Sequence, residues 1–128
     1  MEDSRKEALL RAGVNLDEAL DRFMGNEELL VRFLKKFVND PSYESLKKAM
    51  SGKNYKEAFE ASHALKGVCG NLSITRLYEL VCKEVELLRG GDVNEEEAEQ
   101  CYHEVVVEYE KVIVELENLK KLLIGNNR

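Results

Sequence analysis

The chain has 128 residues, of which 44% are hydrophobic and 34% are charged, and this balance excludes an intrinsically disordered protein. The length predicts a single domain spanning residues 1–128. The net charge of −6 argues against general nucleic-acid binding, because contacts with phosphates need a basic face.

Neither a membrane span nor an export signal is visible in the sequence. No apolar run approaches the roughly 20 residues that cross a bilayer, and the N-terminus MEDSRKEALLRAG lacks the apolar centre of a signal peptide. We therefore expect a cytoplasmic protein with no membrane partner.

Glycine, proline and capping residues divide the chain into predicted helices. Asp40 followed by Pro41 is typical of a helix start, with aspartate as the N-cap and proline at the first helical position. Four asparagines, each followed by glutamate within one turn, are predicted as further N-caps: Asn15, Asn26, Asn54 and Asn94. The predicted helices span residues 3–12, 15–24, 26–39, 41–51, 54–72, 74–89 and 94–123. The pair 26–39 and 41–51 forms either two helices or one kinked helix.

The last predicted helix carries a long apolar stripe with alternating steps of four and three residues. Its members are Ala98, Tyr102, Val105, Tyr109, Val112, Leu116, Leu119 and Leu123. The β-prone run VVVEY at 105–109 lies inside this period, so helix is favoured. Apolar stripes of this kind and short connections predict an all-α fold. We expect an antiparallel four-helix bundle over residues 26–123, with additional short helices within residues 1–25.

The helix predicted at 54–72 has two distinct faces. The core face carries Ala58, Ala61, Leu65, Val68 and Leu72. The opposite face carries His63, Lys66, Gly67 and Gly70 at spacings of i, i+3, i+4 and i+7, with Phe59 one turn earlier. A glycine inside a helix costs about 1 kcal/mol relative to alanine. Since these two glycines face away from the core, packing within the bundle does not account for them, and we expect a docking surface.

The residue types on this outer face suit the acceptance of a phosphoryl group. Imidazole is a nucleophile near neutral pH, and the Lys66 ammonium would neutralise an anion attached to the His63 ring. Two positions without side chains would let the backbone of a partner protein approach closely. The pattern therefore predicts that His63 accepts a phosphoryl group from a docked protein.

The segment HALKGVCGNL resembles the motif of the histidine-containing phosphotransfer (HPt) domain family, a histidine with lysine at +3 and glycine at +4 and +7. The flanking segments NYKEAFEAS and TRLYEL are also similar to that family, and the resemblance runs from about residue 15 to residue 91. The family often has glycine at +10, where this chain has Ser73. We expect a turn there, in which the serine caps the next helix.

The resemblance implies a four-helix bundle that relays phosphoryl groups between receiver aspartates in two-component signalling. It implies His63 as the phosphoacceptor, Lys66 as the residue that stabilises the phosphoryl oxygens, and Gly67 and Gly70 as the space for the receiver. Either Glu86 or Lys83 would face the histidine from the next helix. The implied partners are response-regulator receiver domains, a hybrid histidine kinase, or both.

The chain lacks a nucleotide-binding signature, so we expect a phosphocarrier without kinase activity. It would bind no cofactor itself, and Mg²⁺ is expected on the partner receiver. Phe59 either joins the docking surface or tucks over the end of a neighbouring helix.

The same residues are compatible with two other function classes. The first is a helical-bundle module that docks a receiver or another partner without phosphotransfer. The second is an enzyme that uses His63 as a base or metal ligand, which requires carboxylates converging on His63.

No metal site is predicted in this sequence. The three cysteines, Cys69, Cys82 and Cys101, form no CxxC pair and no disulfide framework. The run EEEAE at 95–99 is favoured as the solvated first turn of a helix. His103 is favoured as a surface residue, because it lies two positions from Cys101 and so points in another direction.

Overall fold

The computed structural model describes the backbone of residues 1–126 and the side chains of residues 1–122. Within this range the chain is helical, with α1 (Asp3–Arg11), α2 (Leu16–Arg22), α3 (Glu27–Phe37), α4 (Pro41–Ser51), α5 (Tyr55–Asn71), α6 (Thr75–Leu88) and α7 (Glu95–Asn126). The predicted all-α class is confirmed, and VVVEY lies inside α7. Leu123, the last residue of the predicted stripe, lies outside the described side chains. No helix of the described range is both long and apolar enough to cross a bilayer.

The predicted N-caps are confirmed at all five positions. Each cap side chain accepts a hydrogen bond from a backbone N–H in the first turn: Asn15 from Glu18, Asn26 from Leu29, Asp40 from Ser42, Asn54 from Glu57 and Asn94 from Glu97. Residues 38–40 separate α3 from α4, so the chain forms two helices there rather than one kinked helix. These bonds satisfy N–H groups that a helix start leaves without a partner.

Helices that follow one another in sequence pack against one another in space. The most extensive contacts join α4 to α5, α5 to α6 and α6 to α7. Tyr43 of α4 stacks on Tyr109 of α7 with ring centroids 3.6 Å apart, and Phe37 packs on the same tyrosine at 5.8 Å. These ring contacts link α3 and α4 to α7, so the helices form a bundle around a shared core.

The two N-terminal helices are tied to the bundle at and just after the C-terminal end of α1. Near its C-terminus, Arg11 Nε donates to Glu115 Oε2 of α7 at 2.9 Å. After α1, the chain runs beside the turn between α5 and α6, where Val14 and Ile74 form an isolated antiparallel bridge. The N–H of Asn15 donates to the Ser73 carbonyl at 2.8 Å, and that of Thr75 to the Gly13 carbonyl at 3.0 Å. These bonds fix where α2 begins relative to α5 and α6.

Ser73 has a left-handed backbone with φ of +54°, a conformation that glycine adopts without strain. This geometry gives a physical reason for a glycine at this position of the motif. The predicted capping role is wrong, because Ile74 is the N-cap residue of α6 and no side chain caps that helix by a hydrogen bond. The Ser73 hydroxyl donates instead to Glu18 Oε1 of α2 at 2.9 Å.

One carboxyl group lies inside the bundle without a hydrogen-bond partner. Glu84 of α6 is fully buried, and neither of its carboxyl oxygens has a partner among the described residues. Burial raises its pKa to about 8; the charge of Glu99 on α7 adds to the shift and Lys83 opposes it. The Glu84 carboxyl is therefore protonated in the folded protein at neutral pH.

Glu84 makes the stability of the bundle depend on pH. Above pH 4.5 the unfolded chain loses this proton, while the folded chain keeps it to about pH 8. Stability therefore falls as pH rises through this window. We expect Glu84→Gln to exceed the wild type in unfolding free energy by about 2–4 kcal/mol at pH 8 and to match it near pH 5. Urea unfolding from pH 5 to 9 measures this, with exposed Glu79→Gln as the control. Parallel pH profiles of wild type and Glu84→Gln would contradict it.

Candidate functional site

The buried face of α5 follows the predicted register with one change. Ala58, Ala61, Leu65 and Leu72 are buried as expected, whereas Val68 is half-buried and Cys69 is fully buried. Ser62 is also buried, and its hydroxyl donates to the Phe59 carbonyl at 3.0 Å, so the helix itself satisfies this polar group. The core contacts fix the rotation of α5 and hence the direction of its outer face.

His63 is exposed on the outer face of α5, as the sequence predicts. The Phe59 ring lies one turn earlier, with its centroid 6.1 Å from that of the imidazole. Glu60 is exposed on the same helix but does not line the depression beside His63. The imidazole is therefore accessible to a partner from solvent.

A shallow depression of about 270 Å³ lies beside His63. It is lined by Arg22, His63, Lys66, Gly67, Gly70, Asn71 and Tyr78. Lys66, Gly67 and Gly70, which the sequence analysis singled out, thus lie together with His63. The sequence analysis did not single out the other three lining residues, Arg22, Asn71 and Tyr78. Both formally charged side chains of this lining are cations and none is a carboxylate, so the depression suits an anion.

The two glycines of the motif have different surroundings. A Cβ atom added to Gly67 would meet nothing within 4 Å, so this part of the helix is bare toward solvent. A Cβ atom on Gly70 would lie 3.0 Å from Cε1 of Tyr78, which is tighter than ordinary van der Waals contact. The Tyr78 ring of α6 therefore packs against Gly70. The expectation that packing within the bundle does not account for the glycines is wrong for Gly70. Its role in docking stays a prediction.

Alanine substitutions test the difference between the surroundings of Gly67 and those of Gly70. Gly67→Ala should raise the unfolding free energy by about 1 kcal/mol, because it gains helix propensity in open space. Gly70→Ala should gain less, since the Tyr78 ring must move, and should recover the full gain in a Tyr78→Ala background. Urea unfolding of the single and double variants measures both effects. Equal gains for Gly67→Ala and Gly70→Ala in the wild-type background would refute the contact.

Phe59 lies under a charged pair at the end of α6. The guanidinium carbon of Arg89 is 5.2 Å from the centroid of the Phe59 ring, and the aromatic residue also lines a groove with Leu88 and Gly90. Arg89 donates two hydrogen bonds to the Glu86 carboxylate, at 3.2 and 3.1 Å. Phe59 therefore tucks over the end of a neighbouring helix, one of its two predicted positions, and its role in docking stays a prediction.

Of the two predicted supports on α6, the structure brings one toward the α5 face. The hydrogen bond from Arg89 lowers the pKa of Glu86, and the nearby charge of Lys66 adds to this effect. Lys83 instead lines a groove between α6 and α7 with Glu97, Gln100 and Glu104. The structure thus does not bring Lys83 to the depression beside His63.

An apolar groove of about 610 Å³ adjoins the depression. Its apolar lining consists of Phe33 and Phe37 of α3, Val68 of α5, and the residues that directly follow α2 and α5, Phe23 and Leu72. Arg22 and Asn71 line both cavities, which therefore adjoin each other. Lys36 Nζ lies 5.2 Å from the Phe33 ring centroid at the groove. Nothing in the sequence indicates this groove, because it forms only where three helices meet.

Side chains that bind metals are dispersed in this fold. Within the described part of the chain, no group of three or more His, Cys, Asp or Glu residues is arranged to hold a metal ion. Cys69 and Cys101 are buried, Cys82 is half-buried, and all three are free thiols.

Comparison with known proteins gave one result. A family model described as Hpt domain matches residues 28–122, about three quarters of the chain. Searches of the curated proteins and of the solved structures found no match.

Proposed function

Because this chain belongs to the Hpt domain family, we propose that it is a phosphoprotein that relays a phosphoryl group through His63. The observation that carries the proposal is the exposure of His63 beside a depression lined by cations and free of carboxylates. Hpt domains are phosphocarriers rather than kinases. We accordingly assign this chain no kinase activity.

The proposed reaction is reversible transfer between His63 and a receiver aspartate. An imidazole nitrogen attacks the phosphorus of the aspartyl phosphate, the new N–P bond forms, and the aspartate leaves as a carboxylate when its P–O bond breaks. Transfer of this kind depends mainly on positioning and on neutralising the phosphoryl charge. Lys66 would stabilise the phosphoryl oxygens. Glu86 would have only an indirect role, through its charge near Lys66.

The proposed partner is a receiver domain of a response regulator or of a hybrid histidine kinase. Its backbone would approach over Gly67, where the helix is bare, and an apolar side chain of the receiver would enter the groove that Phe23 and Phe33 line. Because the lining beside His63 offers no carboxylate, the receiver would supply Mg²⁺ and its acidic pocket. We propose that this relay operates in the cytoplasm.

Incubation with phosphorylated receiver domains tests the proposal. The expected result is an acid-labile phosphate on the chain that maps to His63 by peptide mass spectrometry. Stable binding of receivers without any label would favour the alternative, a docking module without phosphotransfer. A label that maps to another residue would contradict the assignment of His63.

A further inference from the structure

The cation-lined depression contains an arginine from outside the family motif. Arg22 ends α2, whereas His63 and Lys66 belong to α5, and the three side chains line the same depression. Lys66 is half-buried and its ammonium carries three donors on a flexible stem. A guanidinium adds a planar fork of donors that matches phosphoryl oxygens in a bidentate manner.

Arg22 is held by a short chain of polar contacts that starts at Ser73. The Ser73 hydroxyl donates to Glu18 Oε1 at 2.9 Å, and Arg22 Nε lies 3.5 Å from the same oxygen. The backbone bonds between residues 13–15 and 73–75 fix α2 at this place. The turn between α5 and α6 thus determines where the guanidinium stands.

The ion pair with Glu18 leaves Arg22 free to change partners. Both side chains are about half exposed, at 48% and 50% of their surface, and an exposed i, i+4 pair contributes only a few tenths of a kcal/mol. Glu18 keeps its hydrogen bond from Ser73 when Arg22 leaves. A phosphoryl group offers more charge and more acceptor oxygens than one carboxylate does.

The charge of Arg22 also acts on Tyr78, another residue that lines the depression. The Tyr78 ring packs on Gly70 at the edge of the depression. A hydrogen bond with Cys82 raises the pKa of the Tyr78 hydroxyl, and the positive charge of Arg22 opposes this shift. The guanidinium is therefore within electrostatic reach of the side chain that bounds the depression on the α6 side.

We propose that Arg22 binds the phosphoryl group on His63 together with Lys66, as a second phosphoryl-binding cation supplied by α2. The inference rests on the proposed function, because it concerns the phosphorylated state of His63. It adds a residue that lies outside both the HxxKGxxG segment and residues 28–122.

Phosphoramidate tests Arg22 without a receiver. In this reaction an imidazole nitrogen forms a bond to phosphorus while the P–N bond of phosphoramidate breaks and its nitrogen leaves as ammonia. Labelling of His63 and His103 is followed site by site in the same molecule by mass spectrometry, and the rate at His103 serves as the internal reference. The variants are Arg22→Gln, Arg22→Lys and the control Arg11→Gln, whose arginine is similarly exposed and also paired with a glutamate.

Arg22→Gln should lower the ratio of His63 to His103 labelling roughly three- to tenfold, the effect of losing one charge-assisted hydrogen-bonding group. Arg22→Lys should lower it less, and Arg11→Gln should leave it unchanged. The melting temperature of Arg22→Gln should stay near the wild-type value, because only an exposed ion pair is lost.

The possible failures are distinguishable. An unchanged ratio in Arg22→Gln overturns the inference, even if receivers still transfer phosphoryl groups to His63 and the proposed function stands. An equal fall in Arg11→Gln also overturns it, since the effect would then reflect net charge alone. A fall specific to Arg22→Gln upholds the phosphoryl site, even if no receiver transfers to the wild type and the relay function fails.

Discussion

His63→Gln should accept no phosphoryl group from a phosphorylated receiver under conditions in which the wild type is labelled. Glutamine has a similar volume and remains polar, but its amide lacks the nucleophilic nitrogen of imidazole. Acid-labile radioactivity on the protein after incubation with phosphorylated receivers measures the result. The expected loss is complete, because no other described residue that lines the depression is a histidine.

The loss in His63→Gln should come without a loss of structure. His63 is exposed, so its substitution should shift the melting temperature by no more than a degree or two. His103→Gln is the matched control, because His103 is also exposed on a helix but lies on α7. That variant should be labelled like the wild type. Residual labelling of His63→Gln, or its unfolding, would contradict the assignment.

Gly67→Leu should lower the rate of transfer from a receiver by a hundredfold or more. A leucine side chain would stand on the bare part of α5, one turn from His63, and would hold the receiver away from the imidazole. A displacement of about 1 Å is enough to cost a hundredfold in a reaction that depends on alignment. The rate is measured from labelling reactions with a phosphorylated receiver that are stopped at successive times.

The same substitution should leave the bundle intact or slightly more stable. A Cβ at Gly67 meets nothing within 4 Å, and leucine favours helix more than glycine does. The matched control is Gly91→Leu, at another open position without a positive φ, between α6 and α7. It should transfer like the wild type. Labelling by phosphoramidate should survive in Gly67→Leu, and normal transfer from a receiver in that variant would exclude the steric role.

The local part of the fold could be predicted from the sequence because its signals act within one turn. The Asn54 cap depends on the N–H of Glu57, three residues away, and this hydrogen bond is present at 3.2 Å. The spacing of Ala58, Leu65 and Leu72 likewise sets the buried side of α5 and so the exposure of His63. Such features need no knowledge of the rest of the chain.

The remaining part of the site depends on contacts between distant segments. Arg22 lies 41 positions before His63, and its helix reaches the depression through the backbone bonds between residues 13–15 and 73–75 and the Ser73–Glu18 hydrogen bond. Tyr78 lies on α6, and nothing in the sequence of that helix indicates that its ring covers Gly70. Lys83 and Glu86 are only three residues apart, yet Glu86 pairs with Arg89 near Lys66, whereas Lys83 lines the groove between α6 and α7.

The family match begins at residue 28, but the hydrophobic interior begins earlier. Leu9, Ala12, Val14 and Ala19, all upstream of the match, are buried in the same core cluster as residues of α5 and α7. A recombinant fragment trimmed to residues 28–122 would therefore expose an apolar seam along α7 and lose solubility. Expression boundaries drawn from homology alone would thus yield an aggregating fragment, and one without Arg22.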